Sequence, residues 1–342
     1  MRIMRLTALS LLLLGGCTIQ QMQTHAASDH LARGDQALAR EDLDAAMREF
    51  NSAIQLSPKL ATAYAKMGDV HRKRGQFEMA VSYYSEAVRL DPADFDSAMS
   101  LGQTQQVLAA TVVDKIERLE SAVRAYLHAC SLRPNSPDAY LNLGICSYQL
   151  GRLDSAIDYY QKCIACQPKN ASALINLGAA YEAQQKYYDA IRAYKSALEC
   201  DARQPVVHVN LGTIYLKQGR FPAAMNSFEL AIQMDPNMAV AHERLGYCRY
   251  RQQRFDEAMQ AYNRALQLEP KQAEAFAGRG VVEMTLFLQH PERVEFRDRA
   301  IEDWHCSLEL HPAQPKLREL IGKYKPAPPE PIAVNEMGEP GR

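Results

Sequence analysis

A short phrase, Asn-Leu-Gly, recurs at a fixed interval in the middle of the chain. It begins at Asn142, at Asn176 and at Asn210, so each copy starts 34 residues after the one before. Internal periods of roughly 20–50 residues are typical of chains built by stacking copies of one supersecondary unit. The interval therefore constrains the fold more strongly than any other feature of the sequence.

Other residue types recur with the same period, apart from two insertions. Each unit has a glycine, then an alanine, an aromatic residue and a second small residue, and most units close with a proline. The glycines are Gly34, Gly68, Gly102, Gly144, Gly178, Gly212, Gly246 and Gly280. The aromatic residues are Phe50, Tyr84, Tyr126, Tyr160, Tyr194, Phe228, Tyr262 and Trp304. In the second half of one unit, Ala156, Tyr160 and Cys163 have the i, i+4, i+7 spacing of one helix face.

This order of residues resembles the tetratricopeptide repeat (TPR), a pair of antiparallel helices. The resemblance implies an all-α fold, a right-handed superhelical α-solenoid of about eight helix-turn-helix units. We expect the units at 27–60, 61–94, 95–136, 137–170, 171–204, 205–238, 239–272 and 273–314. The glycines let paired helices approach closely, and the aromatic residue is expected to fill the gap between its helix and the next unit. One hairpin buries little surface, so stability should come from stacking.

Two units, 95–136 and 273–314, are eight residues longer than the others. Both insertions fall between the first and second helices. Eight residues make roughly two helical turns, so we expect each hairpin to be longer by about one turn per helix. The added length is explained either by the tolerance of loops to insertion or by contact with a partner.

After the last unit, residues 315–325 are predicted to form a capping helix. Leu317, Leu320 and Ile321 share one face, which would cover the apolar end of the array. The tail 326–342 is rich in proline, glycine and glutamate, a composition typical of disordered segments.

The first 16 residues are predicted to be a lipoprotein signal peptide. Arg2 and Arg5 precede a nine-residue apolar run, which is shorter than the roughly 20 residues of a membrane-spanning helix. Leu14, Gly15, Gly16 and Cys17 then resemble the bacterial lipobox, whose cysteine is acylated and becomes the mature N-terminus. The alternative is an ordinary signal peptide with an incidental cysteine.

Lipidation of Cys17 would anchor the chain to a membrane through the linker 17–26. A mature bacterial lipoprotein carries two or three acyl chains, and two or more hold a protein firmly. Thr18 follows the cysteine, where aspartate would retain a lipoprotein of enteric bacteria in the inner membrane. We therefore expect a location in the cell envelope, at the outer membrane and facing the periplasm.

The composition and motifs give little support to catalysis. The net charge is −1, so no basic excess favours binding of nucleic acid. The sequence has no GxSxG, glycine-rich phosphate loop or HExxH motif. Cys163 and Cys166 form a CxxC motif, but no second pair supplies the remaining zinc ligands. We expect a protein that is not an enzyme and has no cofactor, metal or small-molecule substrate; an accessory redox or metal-binding role for this CxxC motif is the alternative.

The repeated asparagines are predicted to line the concave groove of the solenoid. Asn142 lies about 100° around the helix from its neighbour Leu143, which faces the core. An amide both donates and accepts hydrogen bonds, so a row of amides suits the backbone of an extended peptide. The row is similar to the asparagine ladder in the repeat arm of O-GlcNAc transferase. The alternative is that Asn-Leu-Gly is simply common in this repeat.

The same face continues with two arginines and a tyrosine. Arg244, Tyr247 and Arg251 are predicted to join the peptide-binding surface, where the guanidinium groups could hold an acidic group or a carboxylate. Together with the lipobox, this face predicts a lipid-anchored adaptor that binds a protein or peptide partner in the envelope. Assembly of an envelope, pilus or secretion complex is the kind of role expected by analogy with lipoproteins of this repeat family.

Overall fold

The computed structural model describes residues 22–111 and 114–325. Over these residues the fold is all-helical, with no β-strand. The helices are α1 (22–39), α2 (Leu43–Leu56), α3 (Ala61–Lys73), α4 (Phe77–Leu90), α5 (Phe95–Ala109), α6 (Lys115–Leu132), α7 (Pro137–Gln149), α8 (Leu153–Cys166), α9 (Ala171–Ala183), α10 (Tyr187–Cys200), α11 (Pro205–Lys217), α12 (Phe221–Met234), α13 (Ala239–Arg251), α14 (Phe255–Leu268), α15 (Ala273–Gln289), α16 (Val294–Leu310) and α17 (Pro315–Tyr324). The all-α fold predicted from the repeat is confirmed.

The helices pack in successive pairs, and the chain divides into two compact units. The first unit ends at Cys200 and the second begins at Asp201. Within each unit the second helix of one pair packs against the first helix of the next, as α8 does against α9 and α14 against α15. Each pair is therefore stabilised by its neighbours along the chain, as expected for a repeat array.

The repeat glycine and the aromatic residue of the same pair are direct neighbours. A Cβ atom added to Gly144 would lie 2.4 Å from a ring atom of Tyr160, and one added to Gly178 would lie 2.6 Å from Tyr194. The prediction that the aromatic residue fills the gap to the next unit is therefore incomplete. The aromatic ring packs directly against the glycine of its own pair, because only a residue without a side chain leaves room for the ring at that position.

Most pairs turn between their helices through one residue in the left-handed region. These residues are Glu41, Gly75, Gly151, Gln185, Gly219 and Gln253, with φ between 60° and 74°. Each lies seven residues after the repeat glycine. The α5/α6 and α15/α16 pairs, which carry the insertions, have no such residue in the described part of the chain.

The two insertions lengthen the helices of their pairs. Helices α15 and α16 have 17 residues each, against 13 in α13 and 14 in α14. Helix α5 has 15 residues and α6 has 18. The inserted residues thus extend both hairpins, although α5 gains only about half a turn.

The last helix, α17, closes the second unit. Leu317 and Ile321 are buried and belong to one cluster with Met284, Ala300 and Trp304, and Leu320 packs against its edge. The N-terminal proline of α17 suits a first-turn position, where a helix needs no backbone N–H. This arrangement covers the apolar face of the α15/α16 pair.

Candidate functional site: the face of the first helices

The first helices of neighbouring pairs approach each other within each unit. Helix α7 contacts both α5 and α9, and α13 contacts both α11 and α15. The second helices of neighbouring pairs make at most marginal contacts with each other. The first helices therefore form the more closely spaced row in each unit, and side chains on their open face are near one another.

In the first unit this row brings Asn142 and Asn176 to equivalent positions on α7 and α9. Both residues are half-buried, and neither amide forms a hydrogen bond within 22–111 or 114–325. Asn170 behaves differently, because its side chain accepts from the N–H of Ala173 at 2.9 Å and donates to Gln167 at 3.0 Å. The amides of Asn142 and Asn176 thus keep their donors and acceptors for a ligand.

In the second unit the same position is occupied by Asn210 on α11, Arg244 on α13 and Gly278 on α15. Asn210 is half-buried, and its amide also forms no hydrogen bond with the described residues. Arg244 is 40% exposed, and its Nε lies 3.2 Å from a carboxylate oxygen of Glu243. The charge of Arg244 is thereby partly neutralised.

Arg251 and Tyr247 contact each other at the end of α13. The Nη1 of Arg251 donates to the Tyr247 hydroxyl at 2.9 Å, and the guanidinium also lies 4.9 Å from the ring centre of Phe221. These contacts orient Arg251 while leaving it exposed. An exposed guanidinium held in this way is suited to an acidic group on a ligand.

A cavity of about 250 Å³ opens between α13, α14 and α15 in the second unit. We call it the tyrosine–glutamate cavity; its lining includes Glu243, Tyr247, Tyr250, Tyr262, Glu274 and Gly278. Of these residues, only Tyr247 was predicted from the sequence to be a binding residue. Gly278 occupies the position that holds asparagine or arginine on α7, α9, α11 and α13, and this departure from the pattern is the signal in the sequence at that place.

A second cavity in the same unit is lined by a network of charged side chains. Arg279 binds both carboxylate oxygens of Asp303, at 2.6 and 2.7 Å, and also contacts Asn263 at 2.7 Å. The neighbouring Glu283 is buried, and its Oε1 lies 3.0 Å from the Nε of Arg299. Burial raises the pKa of Glu283 to about 7; Asp303 adds to this effect, whereas the two arginines oppose it.

The two CxxC cysteines differ in exposure. Cys163 is fully buried, and burial raises the pKa of its thiol to about 11, while Cys166 at the end of α8 is exposed. Cys130 and Cys146 are buried free thiols. Within the described ranges, histidine, cysteine and acidic residues form no group of three or more that could hold a metal ion.

The predicted lipidation site and the tail lie outside the described residues. Cys17 precedes residue 22, and 326–342 follows the last described residue. In the part of the chain that the structure describes, every helix is too short or too polar to cross a bilayer. The membrane anchor stays a prediction from the sequence.

Family models for the tetratricopeptide repeat match this chain at 61–94, 115–146, 135–203, 169–237 and 209–273. The chain is a tetratricopeptide repeat protein. Among curated relatives, this TPR protein is 35% identical over 72 residues to a protein SGT1 homolog of Oryza sativa subsp. japonica. That match covers 21% of this chain and 20% of the relative, so the TPR protein spans about a fifth of that relative's length.

Solved structures resemble the TPR protein over longer stretches. A tetratricopeptide repeat protein from Parabacteroides merdae superposes with a TM-score of 0.60 and 16% identity, covering 77% of this chain and 98% of the other. The pilF protein of Pseudomonas aeruginosa gives 0.52 and 19%, covering 63% of this chain and 94% of that one. At these identities the likeness concerns the fold alone.

Proposed function

We propose that this TPR protein is a lipid-anchored, non-catalytic scaffold of the bacterial cell envelope. It binds an extended segment of a partner protein on the open face of its first helices and so helps to assemble an envelope complex. The observation that carries the proposal is the set of half-buried amides of Asn142, Asn176 and Asn210, which form no hydrogen bond within the described residues.

Amides of this kind match an extended backbone. Each can donate to a carbonyl and accept from an N–H, so it recognises a peptide whatever its side chains are. Asn142 and Asn176 belong to the first unit and Asn210 to the second. Each unit therefore offers its own first-helix face.

Binding can be tested with short peptides selected from a random display library on the immobilised full-length chain. We expect Asn142→Ala, Asn176→Ala and Asn210→Ala together to weaken the affinity of a selected peptide about two- to a hundredfold, because a peptide held by one unit loses one or two amide contacts. This range follows from about 0.5–1.5 kcal/mol for each lost hydrogen bond and about 1.4 kcal/mol for each factor of ten. The thermal midpoint should change little, because the amides form no hydrogen bond within the described residues.

Two exposed asparagines on second helices provide a matched control. Asn51 on α2 and Asn226 on α12 are exposed, so Asn51→Ala with Asn226→Ala should leave both affinity and midpoint unchanged. If the triple variant binds the peptide as tightly as the wild type, the binding surface lies elsewhere, and the extended hairpins are the next surface to test.

The anchor is tested separately by Cys17→Ser. The lipobox-like sequence ending in Cys17 supports acylation, so the wild-type chain should fractionate with membranes. The variant should appear as a soluble exported or unprocessed form. Identical fractionation of the two proteins would remove the lipid anchor from the proposal without affecting peptide binding.

The alternative function, redox or metal chemistry at the CxxC motif, gains no support. The thiolate is the reactive form of cysteine, and Cys163 is fully buried with a pKa raised to about 11. Its position suits the small residue that the repeat places against a neighbouring helix. The first-helix face is therefore the better candidate.

A further inference from the structure

The tyrosine–glutamate cavity lies where the α15/α16 pair departs from the repeat pattern. Asn210 and Arg244 are followed by Gly278 at the same repeat position. A Cβ atom at Gly278 would lie 2.4 Å from the Cζ of Tyr262. Only glycine leaves space for this tyrosine, and the cavity of about 250 Å³ opens beside them.

Acidic side chains outnumber basic ones along the lining of the cavity. Glu243 and Glu274 line it, whereas no lysine or arginine does so among the described residues. Glu274 forms no ion pair within the described ranges. Glu243 is only 7% exposed, and its one ion pair among the described residues is with the Nε of Arg244, at 3.2 Å.

The charge of Glu274 also acts on Glu243, which lines the same cavity. Burial raises the pKa of Glu243; Arg244 opposes this change, and Glu274 adds to it. Arg251 lies close to Tyr247 but does not line the cavity. A cation entering from outside would relieve the repulsion between Glu243 and Glu274.

We propose that the tyrosine–glutamate cavity binds one basic side chain, lysine or arginine, of the segment held on the first-helix face of the second unit. This inference rests on the proposed function, because it assigns a residue type to the segment bound there. Carboxylates form strong charge-assisted hydrogen bonds with such side chains, and tyrosine rings attract cations.

Size and solvation favour the same occupant. The cavity is smaller than the roughly 300–1,000 Å³ of pockets for drug-sized ligands, so it suits one side chain. An apolar side chain would cover the buried Glu243 carboxylate without compensating its lost hydration, which is unfavourable. An acidic side chain would add repulsion from both glutamates.

The test uses the full-length chain and peptides selected from a random display library. Selected peptides that lose affinity on Asn210→Ala should share a lysine or arginine at one position. In fluorescence anisotropy, replacing that residue with norleucine should raise the Kd for the wild-type chain about tenfold or more. The same replacement should have little effect on the Kd of the Glu243→Gln/Glu274→Gln variant, since the coupling between the two partners is then gone.

Glu274→Gln alone guards against a folding defect, because Glu274 is exposed and in no ion pair within the described residues. With the Glu274→Gln variant, replacing the basic residue with norleucine should raise the Kd less than it does with the wild-type chain. Glu309→Gln, an exposed carboxylate on α16 that does not line the cavity, is the matched control and should retain the full tenfold dependence.

The outcomes separate this inference from the proposed function. Peptides that need the Asn210 amide but no basic residue would overturn the cavity assignment and leave the scaffold in place. A basic requirement that survives both glutamine substitutions would also overturn it. If the chain selects no peptide at all, the proposed function fails, and the cavity assignment fails with it.

Discussion

Single residues in the turns between paired helices carry a conformational cost that the repeat tolerates. The left-handed position holds glycine in three turns and a residue with a side chain in Glu41, Gln185 and Gln253. For a residue with a Cβ atom, the left-handed conformation costs roughly 1–2 kcal/mol. These turns are therefore places where a substitution can stabilise the protein.

Adjacent glutamines at one turn allow a matched comparison. Gln253 has φ 61°, whereas its exposed neighbour Gln252 has φ −92°. We expect Gln253→Gly to stabilise the fold by up to about 1 kcal/mol, because glycine adopts a positive φ freely. Gln252→Gly should destabilise it by about 0.5–1 kcal/mol through the larger entropy of the unfolded chain. Equal changes in the two urea midpoints would contradict this explanation.

A buried carboxylate makes stability depend on pH. The pKa of Glu283 is raised to about 7 in the folded state, against about 4.3 in an unfolded chain. The folded state thus binds a proton that the unfolded state releases between these values. The resulting stability is present below about pH 4 and is lost as the pH rises through 7.

We expect Glu283→Gln to be more stabilising at pH 8 than at pH 5, by roughly 2 kcal/mol, since one pKa unit corresponds to about 1.4 kcal/mol. Urea unfolding at the two pH values measures the difference. The exposed Glu309→Gln should change the free energy of unfolding by the same small amount at both pH values. An effect of Glu283→Gln that does not change with pH would show that the carboxylate is ionised throughout this range.

At the scale of the helical elements, contact between glycine and an aromatic ring sets the approach within each pair. A Cβ atom on Gly178 would meet three ring atoms of Tyr194 at 2.6 to 2.9 Å. A Cβ atom added to Gly322 on α17 would meet no atom within 4 Å. The two glycines are helical, but only the first is required by packing.

We expect Gly178→Ala to destabilise the first unit by about 1–3 kcal/mol through overpacking, and Gly178→Leu to have a larger effect. Gly322→Ala should instead be neutral or stabilising by up to about 1 kcal/mol, because alanine favours a helix. Circular dichroism during thermal unfolding distinguishes the two. A neutral Gly178→Ala would mean that the ring moves away without penalty.

At the scale of the whole molecule, the division into two compact units predicts unfolding in more than one step. Stability in a repeat array is close to a sum of terms from neighbouring repeats, so distant repeats need not unfold together. The chain has one tryptophan, Trp304, and it lies in the second unit. Its fluorescence therefore reports on that unit, whereas circular dichroism reports on the helices of both.

We expect the fluorescence and circular dichroism midpoints in urea to differ. Leu317→Ala should lower the fluorescence midpoint more, because Leu317 packs in the cluster of Trp304 and a Leu→Ala change costs about 2–5 kcal/mol in a core. The exposed Lys316→Ala on the same helix should change neither. Coincident transitions in the wild type and in Leu317→Ala would show that the chain unfolds as one cooperative unit.

The residue pattern was sufficient to predict how the helices pair. Gly144 and Tyr160 are 16 residues apart and belong to one hairpin. Contacts of this kind are local, so the period and the size of the side chains already specify them. Leu317 and Ile321 on α17 were predicted for the same reason, because their spacing shows an apolar face next to the last pair.

What only the tertiary structure decided concerns side chains from separate helices. Glu243 and Glu274 come from α13 and α15, and they line one cavity together with Gly278 and Tyr262. The contact between Arg244 and Glu243 likewise depends on side-chain conformations that the period does not specify. The sequence by itself determined a stack of helical hairpins, since that follows from local spacing. The distribution of charge and space on their surface was decided by packing between the hairpins.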